Sequence, residues 1–354
     1  MKKKGSSETT RETVLSKRGI NMPSEPKIDG VLQVDGAPGT QSKQFLPNLD
    51  SKLCLKESFV RTSYGQEFFE CTSAFDFRNY IQNGTPKHKP AVNIFFLQWF
   101  IGFFEAEGCF LYWKDRNVDR FGIEITQKDP LLMYKIRTGL GFGKVIKYKK
   151  NETDYWRYYV NDFPNLVRCI FLFNGNLVTN RKNKNFLRWA ENFNKAKKTN
   201  YRVQPRRTNC RVSFETAWLS GFLEGEGGFW VSAENFLYLN KDQNQTFKLK
   251  MKFFITQRDE LELLKQIQAL LPSNNSSITT FRNSSSANVY DRLESSRLDN
   301  HYQISNYLKK YPFLGRRSIT LARWQRLLNY RLYEYPVTPK SIQKIQRLID
   351  STKN

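Results

Sequence analysis

Cysteine and histidine are scarce and scattered in this sequence. Five cysteines, Cys54, Cys71, Cys109, Cys169 and Cys210, stand singly and are odd in number, and His88 and His301 are the only histidines. No CxxC pair exists from which a zinc finger could be built, and isolated thiols fit a reducing compartment better than a disulfide framework. Long apolar runs are missing as well. The longest, Ile94 to Phe104, is about eleven residues and is interrupted by Gln98, against the roughly 20 needed to span a bilayer, which excludes a membrane partner. The opening Met1-Lys-Lys-Lys-Gly-Ser-Ser has no apolar core of the kind a secretory signal requires, and Glu8 and Glu12 weigh against a transit peptide. Acidic residues are the last shortage: 33 Asp and Glu against 57 Lys and Arg leave a net charge of +24. A field of that size attracts a polyanion, and nucleic acid is the first candidate.

What the sequence has in quantity is aromatic side chain, with 28 Phe and 17 Tyr, and 39% hydrophobic residues overall. That is enough apolar material for packed cores in a chain of 354 residues, a length that suggests two domains. Residues 1–90 are poor in periodic apolar pattern and rich in Gly, Pro, Ser and Gln, and read as a basic, largely flexible extension with a short ordered piece around Phe68 to Ile81. Dense apolar pattern starts at Asn93 and again at Phe214, on either side of a basic stretch from Lys195 to Arg211 that contains Pro205. The expected division is therefore a first domain over 91–200, a linker over 201–212 and a second domain over 213–354.

The two halves match each other in three places and in the same order. Leu97-Gln-Trp-Phe-Ile-Gly-Phe-Phe-Glu-Ala-Glu-Gly-Cys-Phe110 answers Thr216-Ala-Trp-Leu-Ser-Gly-Phe-Leu-Glu-Gly-Glu-Gly-Gly-Phe229. Ile125-Thr-Gln-Lys-Asp129 answers Ile255-Thr-Gln-Arg-Asp259, and Lys182 precedes Trp189 as Arg317 precedes Trp324. Each half reads as helix, strand pair, helix, further strands, helix, with strands at 144–150 and 155–160 and helices at 184–196 and 319–335. This predicts an α+β protein of two pseudo-symmetric domains, each with an antiparallel sheet.

In the first match Gly102 and Ala106 lie four residues apart, and Gly221 and Gly225 repeat the spacing, so each helix carries a strip of small residues that would let two backbones approach. Each helix then ends in Glu-small-Glu-Gly, with Gly108 and Gly227 expected in the left-handed conformation that terminates helices. Glu107 and Glu226 are thereby placed at helix C-termini, where the macrodipole disfavours a carboxylate by about 0.3–1 kcal/mol. Packing the two helices adds like-charge repulsion. A divalent cation would relieve both, and a site of few oxygen ligands suits Mg²⁺. The alternative is that Glu105, Glu107, Glu224 and Glu226 are ordinary solvated helix-end charges, a reading the duplication weakens.

Phe100-Ile-Gly-Phe-Phe-Glu-Ala-Glu-Gly108 and Leu219-Ser-Gly-Phe-Leu-Glu-Gly-Glu-Gly227 resemble the paired signature motifs of the LAGLIDADG homing endonucleases, and the resemblance spans roughly 93 to 335. It implies a saddle-like sheet in each domain, packing of the domains through the two motif helices, and metal binding by Glu107 and Glu226 with the carbonyls of Ala106 and Gly225. The family often carries Asp where both copies here carry Glu. Gln127 and Gln257 resemble its water-ordering glutamine, and Lys182 and Arg317 occupy the position of its active-site lysine, from which Arg317 departs.

Phe247-Lys-Leu-Lys-Met-Lys-Phe253 alternates strictly, so one strand face would be core and the other would present Lys248, Lys250 and Lys252. The first-half counterparts are Lys114, Arg116, Arg120 and Glu124, then Lys144, Lys147 and Lys149 with Arg157. Such a face can follow a DNA groove, the cations meeting phosphates and the polar groups meeting base edges.

The leading expectation is a monomeric, Mg²⁺-dependent endonuclease making a staggered double-strand break in a long DNA target and so promoting mobility of its host intron. An RNA maturase acting on intron RNA is the second reading, and a non-catalytic DNA-binding regulator the third. Family habit points to an organelle, the mitochondrion ahead of the plastid.

Overall fold

The computed structural model describes residues 75–89, 91–205, 211–232, 236–239, 245–273, 275–282, 288–333 and 335–352, with a two-residue pairing of Val60–Arg61 (β1) and Glu67–Phe68 (β2). All of these belong to one compact unit, Phe59–Asn354. Most of the expected flexible extension lies outside the described residues. Its last part, 75–84, is ordered: Phe75, Phe77 and Tyr80 are buried, and Asn176 binds the Asp76 backbone in both directions, at 2.8 and 2.9 Å.

The first half runs α1 (Ile94–Glu107), β3 (Gly108–Asp115), β4 (Val118–Gln127), α2 (Pro130–Leu140), β5 (Lys144–Lys150), β6 (Thr153–Val160), α3 (Phe163–Phe173) and α4 (Asn180–Lys197). Side-chain oxygens of Asn93, Asp129 and Asp162 accept from free amides at the starts of α1, α2 and α3. The β3–β4 and β5–β6 hairpins turn on Arg116-Asn117 and Asn151-Glu152, all four at positive φ, as two-residue turns that match strand twist require.

The second half runs α5 (Trp218–Glu226), β7 (Gly227–Val231), the arm β8 (Leu237–Leu239) and β9 (Gln245–Phe247), then β10 (Met251–Arg258), α6 (Leu261–Ala269), β11 (Ser277–Arg282), β12 (Val289–Ser295), α7 (Leu298–Lys310), α8 (Arg317–Leu332) and α9 (Pro339–Thr352). The sheet orders are β3-β4-β6-β5 and β7-β10-β12-β11, both antiparallel. These are the same topology twice, as the sequence repeat predicted. Helices α3, α7 and α9 were not anticipated.

In α1 every residue from Leu97 to Glu105 is buried, and in α5 every residue from Trp218 to Gly225. Helices without a solvent face must be covered all round, and these two cover each other. A Cβ on Gly102 would overlap the Trp218 carbonyl oxygen and lie 3.0 Å from Phe222 N, and one on Gly221 would overlap the Trp99 carbonyl oxygen and lie 2.8 Å from Phe103 N. Only glycine permits this backbone approach. The first half's core is aromatic, with Phe104 and Phe173 centroids 4.5 Å apart and Phe110 set edge-on to both.

The second half's core instead encloses His301, fully buried beside Phe253 and Trp324. Its Nε2 lies 2.9 Å from the Ser295 carbonyl and its Nδ1 3.5 Å from Arg331, an arrangement for a neutral ring donating through Nε2. Burial pushes its pKa down to about 4. The unfolded chain therefore takes up the proton first, and stability is lost as pH falls from about 6.5 toward 4. Between pH 7 and 5 the native protein should lose on the order of 2 kcal/mol that a His301→Gln variant does not, read by denaturant titration at each pH.

Candidate functional site

Glu107 and Glu226 are the last residues of α1 and α5, at the points where each helix passes into its sheet. The expected left-handed glycines are not found. Gly108 has φ −80 and ψ 162, and Gly227 φ −71 and ψ 148, so both are extended. Glycine is needed for space: a Cβ on Gly108 would strike the Phe104 ring, and one on Gly227 would lie 2.7 Å from the Leu223 carbonyl oxygen. The two acidic ends meet. A Cβ on Gly225 would lie 3.0 Å from Glu107 Cγ and 3.5 Å from Oε1, which places the Glu107 side chain against the last turn of the other helix.

Glu105 and Glu224 are not the solvated charges that one alternative allowed; each is 2% exposed. Glu105 accepts from Val178 N at 2.9 Å, Thr179 N at 2.7 Å, Thr179 Oγ1 at 2.9 Å and, across the helix pair, Trp218 Nε1 at 2.6 Å. Glu224 does the same with Leu314 N at 2.8 Å, Gly315 N at 2.6 Å and Trp99 Nε1 at 3.0 Å. Burial pushes Glu105 up to about 7 and also raises Glu224, while the surrounding N–H donors pull the other way. The signal was present in sequence, since a Trp precedes this Glu by the same spacing in both repeats.

Lys182 and Arg317 occupy corresponding places. Lys182 Nζ donates to the Gly108 carbonyl and Arg317 to the Gly227 carbonyl, so the change from Lys keeps the contact. Arg317 also donates to the carbonyls of Glu224 and, at 3.0 Å, Gly225, gathering the orphan acceptors of the α5 C-terminus. Burial, with Arg181 alongside, lowers the Lys182 pKa. Gln127 and Gln257 end the core-facing rows of β4 and β10, two residues past the positions paired with Gly108 and Gly227.

Two carboxylates and the nearby carbonyls of Ala106 and Gly225 are the donor set available. Among the described residues no group of three or more His, Cys, Asp or Glu could hold a metal. All-oxygen donors, few in number, fit Mg²⁺, which keeps several of its waters. Arg317 engages the Gly225 carbonyl at 3.0 Å.

Strand register sorts the expected DNA-binding residues. Arg120, Glu124, Lys144 and Arg157 share the open face of the first sheet, away from Phe121, Ile123 and Tyr158. Lys114, Lys147 and Lys149 do not: they fall on the face of Phe110, Val145 and Trp156, because side chains alternate along a strand. Arg116 lies in the hairpin turn. The alternation over 247–253 holds, with Leu249, Met251 and Phe253 buried and Lys248 and Lys250 exposed, but the strand is broken at 248–250 between β9 and β10. The face is not a bare lysine row. Lys252 pairs with Glu294 at 2.5 Å and Arg157 with Glu124 at 3.2 Å, and Arg292, not anticipated, lies 3.8 Å from the centre of the Phe254 ring. Trp113 and Trp230 stand 40% and 45% exposed on the open faces of β3 and β7.

These features define an α+β pseudo-dimer built about a shared acidic centre. A family model described as LAGLIDADG endonuclease matches residues 100–193 and 219–328, more than half of the chain, and the chain belongs to this family. It is 28% identical over 229 residues to the probable intron-encoded endonuclease 4 of Neurospora crassa, covering 65% of this chain and 39% of that protein. It is 25% identical over 288 residues to the probable intron-encoded endonuclease Cox1-I1b of Schizosaccharomyces pombe, covering 71% and 69%. The chain thus spans about two fifths of the Neurospora relative's length. Among solved structures, the homing endonuclease I-LtrWI bound to target DNA aligns with a TM-score of 0.57 at 18% identity, covering 73% of this chain and 98% of that one. I-SmaMI, bound to uncleaved DNA in the presence of calcium ions, aligns with a TM-score of 0.53 at 16% identity, covering 75% and 100%. No described helix is long and apolar enough to cross a membrane.

Proposed function

We propose that this chain is a site-specific homing endonuclease that makes a staggered double-strand break in a long DNA target and so spreads its host intron. The observation that carries the proposal is the meeting of the two acidic helix ends, with Glu107 set against Gly225 where both helices pass into their sheets. A pseudo-two-fold protein with two such carboxylates is matched to the two strands of a duplex. The chain acts as a monomer, since both motifs are in one polypeptide, and works in an organelle, the mitochondrion ahead of the plastid. Its working domains are 91–200 and 213–354, joined through 201–212.

Magnesium, when bound, supplies Lewis-acid polarisation of the phosphate and a more acidic water. Glu107 and Glu226 would hold it with the carbonyls of Ala106 and Gly225. Gln127 and Gln257 orient water for in-line attack, and Lys182 and Arg317 set positive charge beside the phosphate. The desolvated Lys182 ammonium, its pKa lowered, gives up a proton more readily than an exposed lysine. On the open sheet faces Arg120, Glu124, Lys144, Arg157 and Lys252 meet the duplex, with Arg292 and Trp230 added, and Lys248 and Lys250 meet it from the segment between β9 and β10.

The test is selection of cleaved members from a randomised duplex library by the native chain with Mg²⁺, with chelator as the control. Recovery of one long sequence, cut on both strands only with the metal, is expected; binding without cutting under Mg²⁺, Mn²⁺ and Ca²⁺ overturns the proposal.

A further inference from the structure

Helices α4 and α8 carry Lys182 and Arg317 in their first turns, and the first amides of a helix have no intrahelical acceptor. Each helix start is held by two carboxylates, one from each half of the molecule. At α4, Glu105 of the same half takes the amides of Val178 and Thr179. The next two, Asn180 N at 3.2 Å and Arg181 N at 2.6 Å, go to Glu260 of the other half. At α8, Glu224 takes Leu314 and Gly315, and Asp129 of the first half takes Arg316 N at 2.7 Å. Lys182 and Arg317 each follow directly on the amide held from across the interface.

Two details mark these as straps between the halves. Thr179 is the N-cap residue of α4 but makes no side-chain cap bond to it; its hydroxyl is spent on Glu105. Glu260 is the N-cap residue of α6 and likewise makes no cap bond to its own helix, yet it is only 3% exposed. Its carboxylate reaches out of its own half to the positive end of α4, a favourable place for negative charge. Asp129 divides its oxygens between its own helix, at Leu131 N and Leu132 N, and Arg316.

We propose that Glu260 and Asp129 are positioning residues acting in trans, Glu260 fixing Lys182 and Asp129 fixing Arg317, so that cutting of each strand depends on a carboxylate of the opposite half. This rests on the function proposed above. Displacement of a catalytic group by about 1 Å can cost a hundredfold in rate, so release of the α4 start acts on one strand. General weakening of the interface acts on both.

The experiment uses the full chain and a duplex from the library selection, labelled at either 5′ end so that the two nicks are timed separately. Lys182→Met and Arg317→Met first assign which nick belongs to which cation. Glu260→Ala is expected to slow the nick assigned to Lys182 by roughly ten- to a hundredfold, to leave the other nick within about twofold, and to bind the duplex as native. Without metal or DNA, hydrogen exchange at the Asn180 and Arg181 amides is expected to speed up in Glu260→Ala while that at Val178 and Thr179 does not. If Glu260→Ala does not fold, Glu260→Gln, which keeps the shape without the charge, is read in the same way. Equal slowing of both nicks, slowing of the Arg317 nick alone, no slowing, or unchanged exchange at Asn180 and Arg181 overturns the inference. Native protein that nicks neither strand of any library member defeats the endonuclease reading instead, and the exchange measurement still decides whether Glu260 holds α4.

Discussion

Glu226→Gln is expected to turn a double-strand cut into a single-strand nick, with cleavage of one strand reduced by about 10²–10³ and the other strand cut at close to the native rate. Glutamine keeps the size of the side chain and one acceptor oxygen but removes the charge on which a divalent cation depends. Because Glu226 ends α5 without contributing to the buried core, the fold should be untouched. Glu107→Gln is expected to spare the strand that Glu226→Gln loses. Conversion of supercoiled plasmid carrying the target separates these outcomes, since nicked circle should accumulate where the native chain gives linear product. Linear product at the native rate from either variant would show that these carboxylates do not carry the chemistry.

Gly102→Ala is expected to cost about 3 kcal/mol or more, the upper end of what overpacking causes. Helix propensity alone predicts the opposite, since alanine is favoured over glycine in a helix by about 1 kcal/mol. The environment decides the sign. The new methyl would overlap the Trp218 carbonyl oxygen, and its next neighbours at 2.9 and 3.0 Å are backbone atoms, which cannot rotate aside as a side-chain tip can. Relief requires α1 and α5 to separate, which also pulls Trp218 from Glu105 and Trp99 from Glu224, leaving buried donors and carboxylates unpaired. Gly221→Ala should behave alike. Chemical denaturation reads the effect directly, and a midpoint equal to the native one would mean that the helices do not approach this closely.

Much of the fold was legible because its signals are local or repeated. The Gly102 and Gly221 strips, the carboxylates ending both helices, strands over 144–150 and 155–160, the second beginning two residues earlier in the structure at Thr153, and the order of the two halves all follow from short-range pattern. The errors have local causes too. Gly108 and Gly227 were expected to be left-handed because glycine after a helix usually is, whereas here each makes room for atoms of the helix before it. Lys114, Lys147 and Lys149 were assigned to the open face from charge alone, and pairing register moves them to the other.

What the sequence determined by itself is what composition, periodicity and internal repetition can encode: an α+β chain of two matched halves, strongly basic, with two acidic helix ends brought together by small residues. What the tertiary structure alone decided is which groups meet across the pseudo-two-fold. Asp129 aligns with Asp259, yet Asp259 adopts φ 57 and the next residue, Glu260, does the work of Asp129. Within its own half the offset leaves α6 without the side-chain cap that Asp129 gives α2. Its other consequence depends on the opposite half, which presents the open amides of a helix start, and those partners lie about 80 to 190 residues away in the chain.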